Sequence, residues 1–541
     1  MNKLLVVFSL LAAVVCCGAD LKVHPIFGSY MLMQRGVEIP VAGMAAPGAE
    51  VTVKFKGKTT VVKAGNDGKW QITLAPMEAD AKGVSMVITS GKERKVFSNI
   101  IVGEVILLSG QSHIATSYNY KLSELKTTDP KRKLPPETCK ALIDEINQTV
   151  SSAEVDDAMR SCTVWSNGTV SWWKCNPQQL GRFSVAGHNI AKVLRKELNV
   201  PVAVINMSRG SSSIESWIPA EYYDHPCLAG LKPNIPKFLA FNKARRENKL
   251  TPELTEAYMV DLYSQPRWKH QKNNYIKDGK FKTQTLTAAL FHQGSVQPTA
   301  CYENVVTTVM PFPVRALIWW QGETNYREPA GEYAEKMRIL FSSFRKLWST
   351  PDLPIAVILQ GQRTIYAGLY SQGRLEQFNG VSGVANTYLV NNLMTPIAEV
   401  TMVHPYHEKI QSGKDAGALL LKHVYGKESM GSGPLFDSAK FKDGKAEVSF
   451  RFAKGLKTSD GKAPVGFEIA GSDKKYYPAS AGIEGGKIIV SSDKVAEPVS
   501  VRFMWEDVKN VCNLVNAENL TAFPFDTQYE FFQKPNTING K

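Results

Sequence analysis

The chain has 541 residues, 43% of them hydrophobic and 21% charged, which excludes a disordered chain and exceeds what one core usually holds, so two or three domains are expected. Its 64 basic and 50 acidic residues give a formal net charge of +14. They are dispersed, with no dense basic block beside an aromatic platform, so nucleic-acid binding is not expected and the surface is read as a basic one attractive to acidic glycans.

Residues 1–19 carry Lys3, an apolar run from Leu4 to Val15 and the small residues Cys17-Gly18-Ala19, the layout of a secretory signal peptide cut before Asp20. Val15 and Cys16 suit poorly a lipid-anchored cysteine. A secreted, periplasmic or lumenal protein follows, without membrane association after cleavage, because no later stretch is long and apolar enough to span a bilayer. In an oxidising compartment some of Cys139, Cys162, Cys175, Cys227, Cys301 and Cys512 are expected to pair, the local trio Cys139, Cys162 and Cys175 first. Their spacing does not resemble a zinc site. Asn147, Asn167, Asn206 and Asn519 each begin a short glycosylation sequon, which matters only in a glycosylating host.

Residues 20–102 alternate short strands, such as Val51 to Phe55 and Trp70 to Leu74, with Gly, Asn and Asp turns, and predict an N-terminal β-sandwich-like domain. Residues 103–430 alternate strands with helical stretches, and predict a mostly parallel sheet with crossover helices. The run Val105 to Ser109 reads as a buried strand that turns at Gly110 and presents Ser112 at its C-terminal edge, where open α/β sheets keep their chemistry. A polar, cysteine-containing stretch from Ser123 to Cys175 interrupts the alternation. Phe183 to Leu198 has helical spacing and leads into a strand at Val200 to Asn206 and a loop from Met207 to Ser211. A second irregular stretch runs from Glu221 to Ala300. Further strands are expected at Val314 to Trp320, Pro354 to Gln360 and Gly383 to Val390, and a helix at His407 to Val424 after His404-Pro405. Residues 431–541 return to alternating strands, a C-terminal β-domain, and no solenoid repeat is visible.

Covalent ester hydrolysis needs an exposed nucleophile, a base and donors for the oxyanion. Each has a candidate at the end of an expected strand: Ser112 as nucleophile, His404 as base, and the N–H of Ser112, the N–H of Gly210 and the side-chain amide of Gln321 as donors. Gln111, His113, Glu323 and Asn325 complete the set of oxyanion and substrate contacts. Alone, each reads more simply as a turn, a cap or a solvated loop residue, and Trp319-Trp320 reads as core packing.

Gly103-Glu104-Val105 leading into Gly110-Gln111-Ser112 resembles the first block of the sialate O-acetylesterase family of the SGNH-hydrolase superfamily. Trp319 to Asn325 resembles its Trp-Tyr-Gln-Gly-Glu-Xaa-Asn block, and Ile214-Glu215-Ser216-Trp217 its Ile-Glu-Xaa-Trp. Cys175-Asn176-Pro177 with Phe183 to Gly187, Met31 to Arg35 and Val511 to Asn516 are similar to other family segments, so the resemblance covers nearly the whole chain after residue 19. It implies an SGNH-hydrolase-like α/β fold, a parallel sheet with helices on both faces, flanked by N-terminal and C-terminal β-domains. It also implies a carbohydrate O-acetylesterase acting on O-acetylated sialic acid or another acetylated glycan, without metal or organic cofactor.

Three departures stand out. His113-Ile114 follows the serine in place of Asn-Met, Arg209-Gly210-Ser211 replaces Trp-Gly-Gly, and Met402-Val403-His404-Pro405 stands where the family has Asp-Xaa-His-Pro. Methionine cannot orient an imidazole, so Glu399, Glu323 or a backbone carbonyl is expected to do so. The alternative to an active esterase is a catalytically weakened family member that binds glycans.

Overall fold

The computed structural model describes residues 20–126, 134–152, 155–165, 167–264, 276–277, 280–281, 296–362, 369–506, 511–534 and 538–540. The expected leader at 1–19 lies outside them. Strand β1 (Glu93–Gly110) is the axis of the molecule. With β2 (Asp156–Val164), β3 (Val170–Cys175), β4 (Val202–Asn206), β5 (Ala316–Trp320), β6 (Ile355–Ile358) and β7 (Thr387–Val390) it forms the order β3-β2-β4-β1-β5-β6-β7. All neighbours are parallel except the antiparallel edge pair β2 and β3. The chain leaves β1 for one side of the sheet and returns at β5 to the other, so the end of β1 is a topological switch point, where a crevice opens between crossovers of opposite sense. Ser112 follows that end directly.

Both faces of the sheet are covered, which explains the unbroken apolar run. Val105 and Leu107 point into one core and Ile106 and Leu108 into the other, and the same alternation divides Leu317 and Trp319 from Ala316, Ile318 and Trp320. Each fully buried Val, Leu or Ile contributes about 1.5–3 kcal/mol. Helices α1 (Ser112–Ala115), α2 (Tyr118–Leu125), α3 (Pro136–Ser151), α4 (Val185–Leu198) and α7 (Tyr406–His423) gather at the second core, and α5 (Glu332–Leu347) and α6 (Leu369–Val381) cover the first. Helices α4 and α7 approach closely at Gly413, where a Cβ would stand 2.5 Å from the carbonyl oxygen of Ala186. The fold is thus α/β with helices on both faces and additional β-sheets toward both ends. Among the described residues no helix is long and apolar enough to cross a membrane.

The expected strands and helices of residues 183–206 and 314–424 are present at nearly the expected places. The boundary at 102/103 falls inside β1: its first half pairs with Asp80–Ser90 and its second with β4, so no linker separates the N-terminal strands from the parallel sheet. Buried Glu104 fastens this junction, accepting from Gln34 Nε2 at 3.0 Å, Arg315 Nε at 3.1 Å and the Tyr425 hydroxyl at 3.0 Å, with Arg35 on its other oxygen. After residue 431 two four-stranded antiparallel sheets face each other over an aromatic core in which Phe436 stacks on Phe525 at 4.3 Å.

Two expectations are corrected. The stretch from Ser123 to Cys175 is no mere interruption: it supplies α3, the parallel strand β2 and the edge strand β3. The polar residues of β2 hid it, because Arg160 and Ser161 are buried there along with the apolar ones. The expected disulfide is absent, and Cys139, Cys162, Cys175, Cys227, Cys301 and Cys512 are all free thiols. Cys162 points into one core and Cys175 into the other, on opposite faces of the sheet, so these two cannot meet. The irregular stretch from Glu221 to Ala300, part of which is outside the described residues, contains the helices Pro226–Ala229, Asn234–Arg246 and Pro252–Ser264.

Candidate active site

The turn after β1 is built for close approach. Gly110 has φ +121°, and a Cβ there would lie 2.1 Å from the carbonyl oxygen of Trp320, so only glycine fits. The N–H of Gln111 donates to that same oxygen at 2.9 Å, and the N–H of Arg209 to the carbonyl of Gly110 at 2.8 Å. These bonds lace the ends of β1, β4 and β5 together and deliver Ser112 as the first residue of α1, half-buried and facing the crevice end of the sheet. The N–H of Ser112 is a first-turn amide without an intrahelical acceptor. No hydrogen bond involving the N–H of Gly210 or the hydroxyl of Ser112 occurs among the described residues.

His404 lies at the start of α7 and is only 5% exposed. Its Nδ1 is 2.8 Å from Oε1 of Glu124, a residue of α2. The Lys121 ammonium holds the other oxygen of that carboxylate at 2.8 Å, lies 3.6 Å from Sδ of Met402 and donates to the backbone carbonyl of His404. Nε2 of His404 is buried without a hydrogen-bond partner among the described residues, and no bond joins it to Ser112. Burial depresses the imidazole to about 4, with the Glu124 hydrogen bond opposing in part. Burial alone would raise Glu124, but the bond from His404 and the charge of Lys121 outweigh it and hold the carboxyl at about 2. Near neutrality the pair is therefore a neutral imidazole whose Nδ1–H faces a carboxylate, leaving a lone pair on Nε2.

The remaining candidates divide into those near the histidine and those that brace the scaffold. His113 stacks on Trp320 at 5.4 Å and stands edge-on to His404 at 5.3 Å. Lys409 Nζ, which can only donate, is 3.1 Å from its Nδ1, so Nε2–H donates to Glu323 Oε1 at 2.9 Å. Both ring nitrogens are thus engaged, and His113 does not serve as a second base. Gln111 is buried, with its side-chain oxygen unbonded among the described residues.

Gln321 and Asn325 are differently placed from the sequence expectation. The Gln321 amide donates to the carbonyl of Ser212 at 2.9 Å and to Asn325 Oδ1 at 2.8 Å, which consumes both hydrogens and removes it as an oxyanion donor in this geometry. Asn325 also accepts from the N–H of Ile214 at 3.1 Å and donates to Glu215 at 3.1 Å and Glu328 at 2.8 Å. Glu215 in turn pairs with buried Lys336 at 2.9 Å, and Trp217 meets Trp319 edge-to-face at 5.8 Å. Asn325 is thus a strut in the structure, its carbonyl oxygen and its amide both engaged within the protein. Two of the family-like sequence blocks are each other's buried partners.

Neither acid expected to orient His404 does so. Glu323 is taken by His113, and Glu399 binds His407 and the N–H of Tyr406 at the start of α7. The residues missed, Lys121 and Glu124, are an i,i+3 pair on an ordinary surface-like helix capped by Ser117. Nothing local ties that pair to a histidine 280 positions away.

With this geometry in view, the comparisons with known proteins fall into place. Residues 295–404 match the family of carbohydrate esterases described as sialic acid-specific acetylesterases. The matched span includes Gln321, Glu323, Asn325 and His404. Ser112 precedes it. A carbohydrate acetylesterase structure from Xanthomonas citri is similar over 94% of this chain and 99% of its own, with a TM-score of 0.69 and 24% identity. Two others are more distant. An Arabidopsis thaliana protein aligns over 59% of this chain and 98% of its own at 14% identity and a TM-score of 0.32. A family two carbohydrate esterase from Clostridium thermocellum, solved with cellohexaose, aligns over 72% and 90% at 10% identity and a TM-score of 0.27. No curated protein sequence matches the chain.

Proposed function

We propose that the protein is an exported serine-type carbohydrate O-acetylesterase that removes acetyl groups from sialic acid or another acetylated glycan through Ser112 and His404. One observation carries the reading: a half-buried serine with an unspent first-turn N–H stands at the switch point of the sheet, and the ring of its neighbour His113 lies edge-on, at 5.3 Å, to a buried neutral His404 whose Nε2 has no hydrogen-bond partner among the described residues. In the reaction Ser112 Oγ bonds to the acetyl carbon as its proton passes to Nε2 of His404, and the carbonyl electron pair moves onto oxygen. The N–H groups of Ser112 and Gly210 are the donors for that oxyanion. Collapse breaks the bond to the sugar oxygen, which takes the proton from Nε2. Water, deprotonated by the same nitrogen, then releases acetate and restores the serine.

The reading is tested by acetate release from an aryl acetate, from O-acetylated sialic acid and from an acetylated polysaccharide. Hydrolysis of the aryl ester and at least one glycan is expected. The second reading, a glycan-binding protein with weakened catalysis, is favoured by the missing hydrogen bond between Ser112 and His404. Such bonds often form only with substrate in place. Binding of acetylated glycan with no acetate released would select it.

Tyr120, 51% exposed, sets its ring edge-on to His404 at 5.5 Å and offers an apolar face beside the base. A sugar ring stacked there would gain about 0.5–1.5 kcal/mol. Tyr120→Ala is expected to raise KM for the acetylated sugar by up to about tenfold, leaving KM for a small alkyl acetate unchanged. Equal effects on both substrates would remove the stacking role.

A further inference from the structure

We infer that Glu124 is the positioning residue for His404, supplying from α2 the carboxylate that the sequence lacks at position 402, and that Lys121 locks the arrangement. The inference rests on the esterase reading of Ser112 and His404 and deepens it. It begins with an incompatibility. A general base must present one defined nitrogen to the serine, and an imidazole with no acceptor at Nδ1 populates both tautomers and swings about Cβ. Met402, two residues before His404, offers only a thioether.

The structure contains what is needed at a different place in the chain. Glu124 Oε1 is 2.8 Å from Nδ1, which fixes the proton there and leaves Nε2 as the acceptor. Nε2 is buried and unbonded among the described residues, so Glu124 holds the ring by hydrogen bonding on the Nδ1 side and the lone pair of Nε2 stays unspent. The carboxylate is itself held: Lys121 Nζ contacts Glu124 Oε2, Met402 Sδ and the carbonyl of His404. One fully buried ammonium therefore touches the acid in use, the side chain at the position that lacks one, and the backbone of the histidine being oriented. Lys121 and Glu124 are one turn apart on α2, so a single helix carries both, and Tyr120 beside them packs on the same imidazole. Glu323 and Glu399, which also lie near this end of the sheet, are engaged by His113 and His407.

The arrangement also explains how position 402 can be methionine. Its side chain ends within reach of the same ammonium that anchors Glu124, so a carboxylate introduced there would meet an existing counter-charge and lie beside the same imidazole.

The test compares wild type, Glu124→Gln, Met402→Asp and the Glu124→Gln/Met402→Asp double variant. Two readouts are followed: kcat and KM for acetate release, and the low-field proton NMR resonance of a histidine N–H bonded to carboxylate. In Glu124→Gln the amide can donate to Nδ1 and favour the wrong tautomer, so kcat is expected to fall about 10²- to 10⁴-fold with KM unchanged, and the resonance to disappear. The double variant returns a carboxylate to both Lys121 and His404, and is expected to regain much of kcat and the resonance. This rescue separates positioning from misfolding, which would depress both variants alike. Acetate release by wild type with unchanged kcat in Glu124→Gln would overturn the role of Glu124. A wild-type resonance lost in Glu124→Gln, with no acetate released by any form, would overturn the esterase reading and uphold the assignment of the ring's partner.

Discussion

Ser112→Ala is expected to lower kcat for acetate release by about 10⁴-fold or more, with little change in KM. In the proposed mechanism Ser112 is the group that forms the acyl bond, and no hydroxyl is bonded to His404 Nε2 among the described residues. With the hydroxyl removed, the acetyl group must be attacked by water that nothing has positioned, and only the N–H donors and substrate binding still assist. Folding should be untouched. The side chain is short and half-buried, its hydroxyl makes no hydrogen bond among the described residues, and alanine is a good helix former at the start of α1. The measurement is pre-steady-state release of the phenol from excess aryl acetate, where the burst that accompanies acylation of wild type should vanish while the melting temperature stays the same. A variant that keeps the burst would place the nucleophile elsewhere.

Stability should fall markedly as pH drops from about 6.5 to about 4. His24, His404 and His423 are depressed by burial to about 4 and His188 to about 3. In the unfolded chain they titrate near 6.5. Between those values the unfolded chain takes up protons that the folded chain refuses, so acid favours unfolding. For deeply buried His24 and His404 the shift corresponds to about 3 kcal/mol each. Glu124, held at about 2, adds to the same trend at lower pH, its contribution being complete above about 4.5 and lost as pH falls toward 2. Four groups among the described residues act in the opposite sense, two of them Glu303 and Asp526, both raised by burial. Full burial raises Asp415 to about 7, and the hydrogen bond to Glu399, with Glu145 on its other side, raises His407, so both bind protons more readily when folded. The four histidines depressed to about 4 or below set the trend in this window. Melting temperatures measured across it should decline with acid, and a flat or rising profile would refute the buried neutral state of these rings. The same depression of His404 puts the acid limb of kcat/KM near pH 4 and not near 6.5.

The legible parts of this protein are those whose cause is local. The apolar run of β1 and the glycine after it announce a strand and a turn because two covered faces demand apolar residues at every position, and φ +121° demands glycine. Helix α4 shows itself by spacing, since in its C-terminal half Leu194 is packed while Lys192, Lys196 and Glu197 are exposed. Strand β2 was missed for the converse reason. Arg160 and Ser161 are buried there, and the hydrogen bond from Arg160 to Asn99 Oδ1 helps a charged residue to be accepted inside. The disulfide expectation came from nearness in sequence, whereas the sheet sends Cys162 and Cys175 to opposite faces.

The site divides in the same way. By itself the sequence determined the fold class, the serine at the strand end, the histidine before α7 and the likeness to a family of carbohydrate acetylesterases, because each depends on a residue type at a fixed place along one element. Only the tertiary structure decided which side chains are spent and which are open. It bound the Gln321 amide to Ser212 and Asn325, engaged both nitrogens of His113, and brought Glu124 to a histidine 280 residues away. A hydrogen bond specifies a distance and an angle between two atoms but no separation along the chain, so the partner of His404 could be found only where folding had put it.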